Sequence, residues 1–543
     1  MADAQAAGKG RVWNWKPYIF LFLILALFYL PFPNRHPQFD GVGYYVIAQM
    51  NLQQTGGAVP TSHVLPQPFF TTLYSLHQLM GIQYSISRFF SLCDSLLMIG
   101  SLLILFGFYK NIIRDSRIAF LATLALGSCF AIWYFGTDIE NVSLATFSAA
   151  LLLNIGWRTS HKNTMVRGVL LGLLAVFATL CMQTLAVLSL FAVIYYFRQG
   201  KRRLAFSMLF SFIFILLLTY SILAFSYLGY STLDEFKLYL LGHADISHTQ
   251  SQGWMTLTPL TPFAAVVGFS RAILGLHPLM NLPWLKEMAL TGLPGNVLSN
   301  QIAMAEGITP WLIYPLIATT IMLLLSLPVF LWFAWKGHKQ TKEEKDSGIA
   351  TGLLVLYAGF MALLTIIWLP QGGEFWLPVV IILIPLAARY LTRLKPMVRI
   401  YACVWVGLLA FTNLFGSIRP FADETVDPTL PSILYLDEIR QPDDLYLIPS
   451  SAAYPQHSVF YWVIPVASIE SQYNSSDALW EKDFRESKGT IYFSSDLFNL
   501  KSHKELNLKG PTYYLATQDW ENLTQQARTL RNIGSLEILA VKR

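Results

Sequence analysis

Apolar residues along this chain fall into long unbroken runs, without the alternation of half-buried strands or the narrow stripes of amphipathic helices. A helix that crosses a bilayer needs roughly 20 apolar residues. Runs of that kind occupy 17–33, 86–108, 118–136, 140–157, 204–228, 309–334, 349–369, 375–391 and 397–418. A further apolar stretch, 168–197, is too long for one span and short for two. Met182-Gln183-Thr184 interrupts its middle. Both its flanks are basic: Arg158, Lys162 and Arg167 before it, Arg198, Lys201, Arg202 and Arg203 after it. Basic flanks on one side of a membrane predict two half-length helices that enter and return, which brings the total to about eleven segments.

The charged positions between the runs set the direction of threading. Lys110, Arg114 and Arg117 form one cluster, Lys336, Lys339, Lys342 and Lys345 a second, and Arg389, Arg393, Lys395 and Arg399 a third. All fall on one side if the N-terminus is cytoplasmic, as positive-inside threading requires. The opposite side then receives the loop 34–85, a short turn near 137–140, the long loop 229–308 and the tail 419–543.

The tail departs from the rest in composition, being rich in Asp, Glu, Ser and Asn. Short β-rich runs at 445–449, 459–466, 490–494, 512–516 and 536–541 alternate with helical stretches near 475–487 and 519–532. That order predicts a small extracytoplasmic α/β domain. The chain therefore divides into a helical membrane domain, 1–418, and a C-terminal domain, 419–543.

Composition agrees. Of 543 residues, 54% are hydrophobic and 13% charged, against about 25% charged in soluble domains. Too few charges remain to build a water-facing surface. The net charge of +6 gathers between apolar runs, which suits cytoplasmic loops and argues against a nucleic-acid partner. Cys93, Cys129, Cys181 and Cys403 lie in or beside apolar stretches without metal-ligand spacing, so no disulfide framework is expected. The first apolar run lacks a small-x-small cleavage site and ends in Pro31-Phe32-Pro33, which reads as an uncleaved first span.

Candidate chemistry lies in the outer loops. Asp40 stands in Gln38-Phe39-Asp40-Gly41-Val42-Gly43-Tyr44-Tyr45, just past the first span, as a positioned base or a solvated loop acid. Asp138 and Glu140 share the short turn between two spans; they either belong to a site or complement the dipole of the helix that follows. Arg88 begins the second span, at the depth of lipid phosphates, where a guanidinium grips phosphate bidentately or snorkels to ordinary phospholipid. Lys237, His243 and Arg271 populate the long outer loop and offer charge to a departing phosphate. Its apolar segment 258–276 suits an interfacial helix. Glu374 occupies the outer turn Gln371-Gly372-Gly373-Glu374-Phe375-Trp376.

Residues 40–160 resemble the start of the GT-C superfamily of membrane glycosyltransferases, among them protein O-mannosyltransferases and the aminoarabinose transferase of lipid A. The resemblance is carried by Asp40 to Ala48, Gly56-Gly57, Ser87-Arg88, Arg117 to Ala122, and the acidic turn before Asn141. It implies a polyprenyl-phosphate sugar donor, a lipid, glycan or protein acceptor on the outer face, and Asp40 as catalytic base. The family often pairs that acid with a second; here Gly41 follows, which leaves the second role to Asp138 or Glu140. An oxygen-rich set of Asp40, Asp138 and Glu140 would suit Mg²⁺ or Mn²⁺. The compact loops lean towards a bacterial inner membrane. Two other classes compete. A transporter or flippase needs ionisable residues at mid-membrane, and Asp94 and Gln183 come nearest. A non-catalytic scaffold would act through its outer domain.

Overall fold

The computed structural model describes residues 15–36, 44, 48, 64–82, 85–159, 163–240, 259–292, 302, 304–342, 348–426, 429–439, 441, 444–448, 466–468, 488–494, 525–534 and 536–542. Every predicted apolar run is helical. The first half gives α1 (Lys16–Tyr29), α2 (Pro66–Met80), α3 (Ile86–Ile113), α4 (Ser116–Gly127), α5 (Phe130–Thr137), α6 (Asn141–Thr159), α7 (Met165–Cys181), α8 (Leu185–Arg198) and α9 (Arg202–Ser221). The second half gives α10 (Leu233–Leu240), α11 (Thr261–Ile273), α12 (Pro283–Gly292), α13 (Ile313–Lys342), α14 (Gly348–Trp368), α15 (Leu377–Leu391), α16 (Pro396–Asn413), α17 (Arg419–Ala422) and α18 (Thr429–Ile439). Among the described residues, six helical segments are long and apolar enough to cross a membrane, and a bent pair makes a seventh. Local signals set many starts. Ser85 caps α3 by accepting from the Arg88 amide, and Asp115 caps α4 by accepting from Arg117 and Ile118.

The two half-length helices expected at 168–197 are α7 and α8, separated at Met182-Gln183-Thr184. α7 lies against α9 along a seam of small residues. Gly168 and Gly172 face Ser207 and Ser211, and a Cβ at either glycine would run into the opposing serine. The serine hydroxyls turn back onto their own helix: Ser207 donates to the Arg203 carbonyl (2.8 Å) and Ser211 to that of Ser207 (2.7 Å). The seam is thus left free for backbone-close packing, the way helices associate where lipid removes the hydrophobic drive.

One expected span is not a single helix. The run 118–136 breaks at Ser128-Cys129 into α4 and α5, bent by 63°. The break frees carbonyls, and distant side chains take them. Asn413 of α16 donates to Ser128 (2.7 Å), and the Tyr29 hydroxyl of α1 donates to Gly127 (2.9 Å); Asn413 also donates to Ile273, at the end of α11 (2.9 Å). Asn413 is fully buried. Irregular backbone at membrane depth persists where buried partners re-satisfy it.

The tail holds a five-stranded mixed sheet of order β2-β1-β3-β5-β4, from β1 (Leu445–Ile448), β2 (Val466–Ser468), β3 (Thr490–Ser494), β4 (Arg528–Ile533) and β5 (Leu536–Lys542). β1 pairs in parallel with β2 and β3; β5 runs antiparallel to β3 and β4. The helix expected over 519–532 is corrected by β4. Gly534, at φ +59°, closes a hairpin that pairs Ile533 with Leu536, and ladder bonds override the helical propensity of the segment. The expected runs 475–487 and 512–516, and 459–466 up to Pro465, lie outside the described residues. Buried Asp444 pins the sheet, accepting from the Thr490 amide (2.6 Å) and the Tyr492 hydroxyl (3.1 Å). Ile533, Ile538 and Ala540 pack with Phe70, Phe90, Ile139 and Leu436, so the sheet seats on the N-terminal ends of α2 and α3.

Candidate functional site

The acidic turn after α5 is buried. Asp138 is 1% exposed, Glu140 4%, and Asp94 of α3, which faces them, 0%. Asp94 Oδ2 accepts from the Glu140 amide (3.2 Å). Asp138 accepts from the amide of Ile139 (2.7 Å) and Glu140 from that of Asn141 (3.0 Å). The Ser91 hydroxyl donates to the Thr137 carbonyl, fixing the end of α5 to α3. The second oxygen of Asp94 has no hydrogen-bond partner among the described residues. Three carboxyls therefore sit at the junction of α3, α5 and α6, held by backbone amides.

Beside this turn lies a polar cavity of about 50 Å³, lined by Asn34, Arg35, Arg88, Glu424, Glu438 and Arg531, with Ile139 and serines of α3 completing it. Arg88, the predicted phosphate grip, is 3.9 Å from Glu424, which also pairs with Arg531 at 2.6 Å. Arg531 stacks over the Tyr435 ring at 4.9 Å.

A second basic site is built on α11. Gly268 lets this helix approach the Pro370 carbonyl and the Trp376 indole, where any Cβ would collide. Trp376 Nε1 donates to the same Pro370 carbonyl (2.9 Å), and Arg271, one helical turn on, donates to that of Gln371 (3.0 Å). Burial lowers the Arg271 pKa, and the negative charge of Glu374 and the Tyr134 phenol oppose this. His277, fully buried, meets the Ser417 hydroxyl through Nδ1 at 2.7 Å. Burial, then the Arg271 charge, push its pKa down to about 3, so the ring is neutral. Along α11 opens an apolar groove of about 700 Å³, lined by Phe263, Val266, Phe269, Leu324, Leu331 and Trp376 among others; Ser270, next to Arg271, is on its wall. The segment expected to lie along the interface is thus docked into the bundle.

The structure therefore brings Arg88 beside the acidic turn, and Arg271 beside Glu374. Lys237 joins neither; it is exposed on α10 and paired with Asp234 at 2.9 Å. Asp40 and His243 lie outside the described residues. Sequence reasoning missed Asn34, Arg35, Glu424 and Arg531, which no spacing signal connects. It noted Asp94 only as an isolated span acid. Among the described residues, no group of three or more His, Cys, Asp or Glu could hold a metal ion. Asp138 and Glu140 each spend one oxygen on a backbone amide, and the third acid of the expected Mg²⁺ or Mn²⁺ set, Asp40, lies outside the described residues.

No family model and no curated protein matches the sequence. The fold, a polytopic helical bundle with a small C-terminal sheet, has a counterpart among solved structures. The structure is similar to that of ArnT from Cupriavidus metallidurans bound to undecaprenyl phosphate, with TM-score 0.52 and 12% identity over 96% of this chain and 98% of that one. The Archaeoglobus fulgidus oligosaccharyltransferase, in complex with Zn and sulfate, gives TM-score 0.44 and 12% identity over 88% of this chain and 68% of that one.

Proposed function

We propose that this chain is a membrane glycosyltransferase that moves a sugar from a polyprenyl-phosphate donor to an acceptor on the outer face of a bacterial inner membrane. The observation that carries this is the apolar groove of about 700 Å³ whose wall, α11, also bears Arg271. A polyprenyl phosphate is a long apolar chain ending in an anion, and the similar ArnT was solved bound to such a lipid. The isoprenoid chain would lie along Phe263, Phe269, Leu324 and Leu331, with its phosphate at Arg271. Glu374 and the Gln371 carbonyl hold that guanidinium in place.

Asp40 is the base in this mechanism, taking a proton from the acceptor hydroxyl as it attacks the anomeric carbon. Attack opposite the departing phosphate inverts that centre. A positioned base contributes about 10²–10⁴-fold, and Arg271 stabilises charge on the leaving phosphate. Asp138 and Glu140 orient the sugar or the turn that meets it. No step is routed through a metal.

The test is to profile polyprenyl-phosphate sugars by mass spectrometry in membranes carrying the wild type, Asp40→Asn or Arg271→Gln, at matched protein levels. One glycolipid accumulating in both variants names the donor and supports the transfer. Unchanged pools in both would favour a transporter or a scaffold.

A further inference from the structure

The cavity beside the acidic turn has no part in the donor groove. Its walls come from four regions: the chain leaving α1 (Asn34, Arg35), the start of α3 (Ser85, Ser87, Arg88, Ser91), the acidic turn (Ile139) and the tail (Glu424, Tyr435, Glu438, Arg531). Its donors outnumber its acceptors. Three guanidiniums meet two carboxylates, and Glu424 is shared between Arg88 and Arg531. Among the described residues no carboxylate forms an ion pair with Arg35. Burial lowers the Arg35 pKa, and the Arg88 charge lowers it further; Glu424 opposes, Arg531 adds to the repulsion, and Glu438 opposes.

An independent observation comes from Asn34. Its side chain is 7% exposed and lines the cavity. Its Oδ1 accepts from the His36 amide (2.9 Å), which fixes the orientation of the group, and its Nδ2 donor has no partner among the described residues. A buried amide donor left without a partner forfeits its hydration with nothing in return. It is therefore a donor to which the described residues offer no acceptor. The first turn of α3 adds the positive end of its dipole, and Ser85 and Ser87 contribute hydroxyls. The space, about 50 Å³, exceeds the roughly 10–15 Å³ that one water needs.

We infer that this cavity is a second anion site, for a phosphoryl group, held jointly by the membrane bundle and the tail sheet. The oxygens of a phosphoryl group accept from Asn34 Nδ2 and from the Arg35 guanidinium, and Arg88 and Arg531 supply the remaining charge. The same chemistry arrives as a lipid headgroup or as free phosphate. The site does not rest on the transferase reading, and the two fail separately.

The test uses the full chain in phosphatidylcholine nanodiscs. Thermal unfolding is followed against inorganic phosphate, with chloride at matched ionic strength as control. Wild type is compared with Arg35→Gln, Asn34→Asp and Arg271→Gln. Phosphate is expected to raise the melting temperature of wild type and Arg271→Gln alike. Arg35→Gln is expected to weaken the apparent affinity by about tenfold or more. Asn34→Asp keeps the bond to His36 and offers Arg35 a built-in carboxylate, so it is expected to fold and to be insensitive to phosphate. That keeps the test decisive should Arg35→Gln fail to fold. Discs that include phosphatidylglycerol identify the source. A phosphate effect that vanishes there assigns a headgroup, and one that persists assigns a soluble phosphate. An equal phosphate response in wild type and Asn34→Asp, or none in either disc, overturns the site.

Discussion

At the scale of single residues, burial decides which polar groups carry chemistry. His277 shows this in a form that can be titrated. Its pKa falls from the ordinary 6.5 to about 3 because burial and the Arg271 charge disfavour the imidazolium. The unfolded chain therefore binds the proton more readily than the folded one between those values. The stability contribution is fully present above about pH 6.5 and is lost as the pH falls towards 3. Thermal unfolding between pH 7.5 and 4.5 is expected to fall more steeply for wild type than for His277→Asn. Parallel slopes would show that the ring is already protonated when folded. The buried Asp94 and Asn34 were not recognisable as site residues from sequence. Nothing in the spacing of Asp94 brings it to Glu140, 46 positions away, and nothing local marks Asn34 as deprived of a partner.

At the scale of elements, hydropathy located the helices, and the small residues explain how they meet. The break at Met182-Gln183-Thr184 was legible because basic residues flank both ends of the stretch, which fixes both on one side. The break at Ser128-Cys129 was not, since it lies within an apolar run and is held open by Asn413 and Tyr29 from far along the chain. β4 was misread as helix because its partner, β5, decides its state. The α7–α9 seam gives a direct test. Gly168→Leu would drive a side chain into Ser207 and the Leu204 carbonyl. Overpacking of this kind costs about 1–3 kcal/mol. A lowered melting temperature of the purified protein is expected, whereas Leu170→Ala, on the exposed side of α7, should leave it close to wild type. Equal melting of Gly168→Leu and wild type would show that the helices do not pack so closely.

At the scale of the whole molecule, the tail sheet and the membrane helices meet through a small apolar contact and one shared carboxylate. Glu424 joins Arg88 of α3 to Arg531 of β4. It is 30% exposed at the side chain, so each pair is worth at most about 1 kcal/mol. Glu424→Gln is expected to raise hydrogen exchange in β4 and β5 by roughly two- to fivefold, without melting the helices. It also removes a competing acceptor from the arginine cavity, so phosphate affinity should rise, not fall. Unchanged exchange would mean that the apolar contacts of Ile533, Ile538 and Ala540 alone hold the sheet.

Sequence by itself determined that this is a polytopic helical membrane protein with a mixed α/β tail. Long apolar runs must find lipid or each other, and that requirement is local and cumulative. It also pointed to Arg88, Arg271, Asp138 and Glu140, because charged residues at the ends of spans are costly to place idly. Tertiary structure alone decided which charges share a site. Asn34, Arg88, Glu424 and Arg531 come from separate regions of the chain, and their meeting depends on how helices cross and where the sheet docks. A span can be read from about 20 consecutive residues, but a cavity whose donors come from the end of one helix, the start of another and a distant strand exists only once all three are packed.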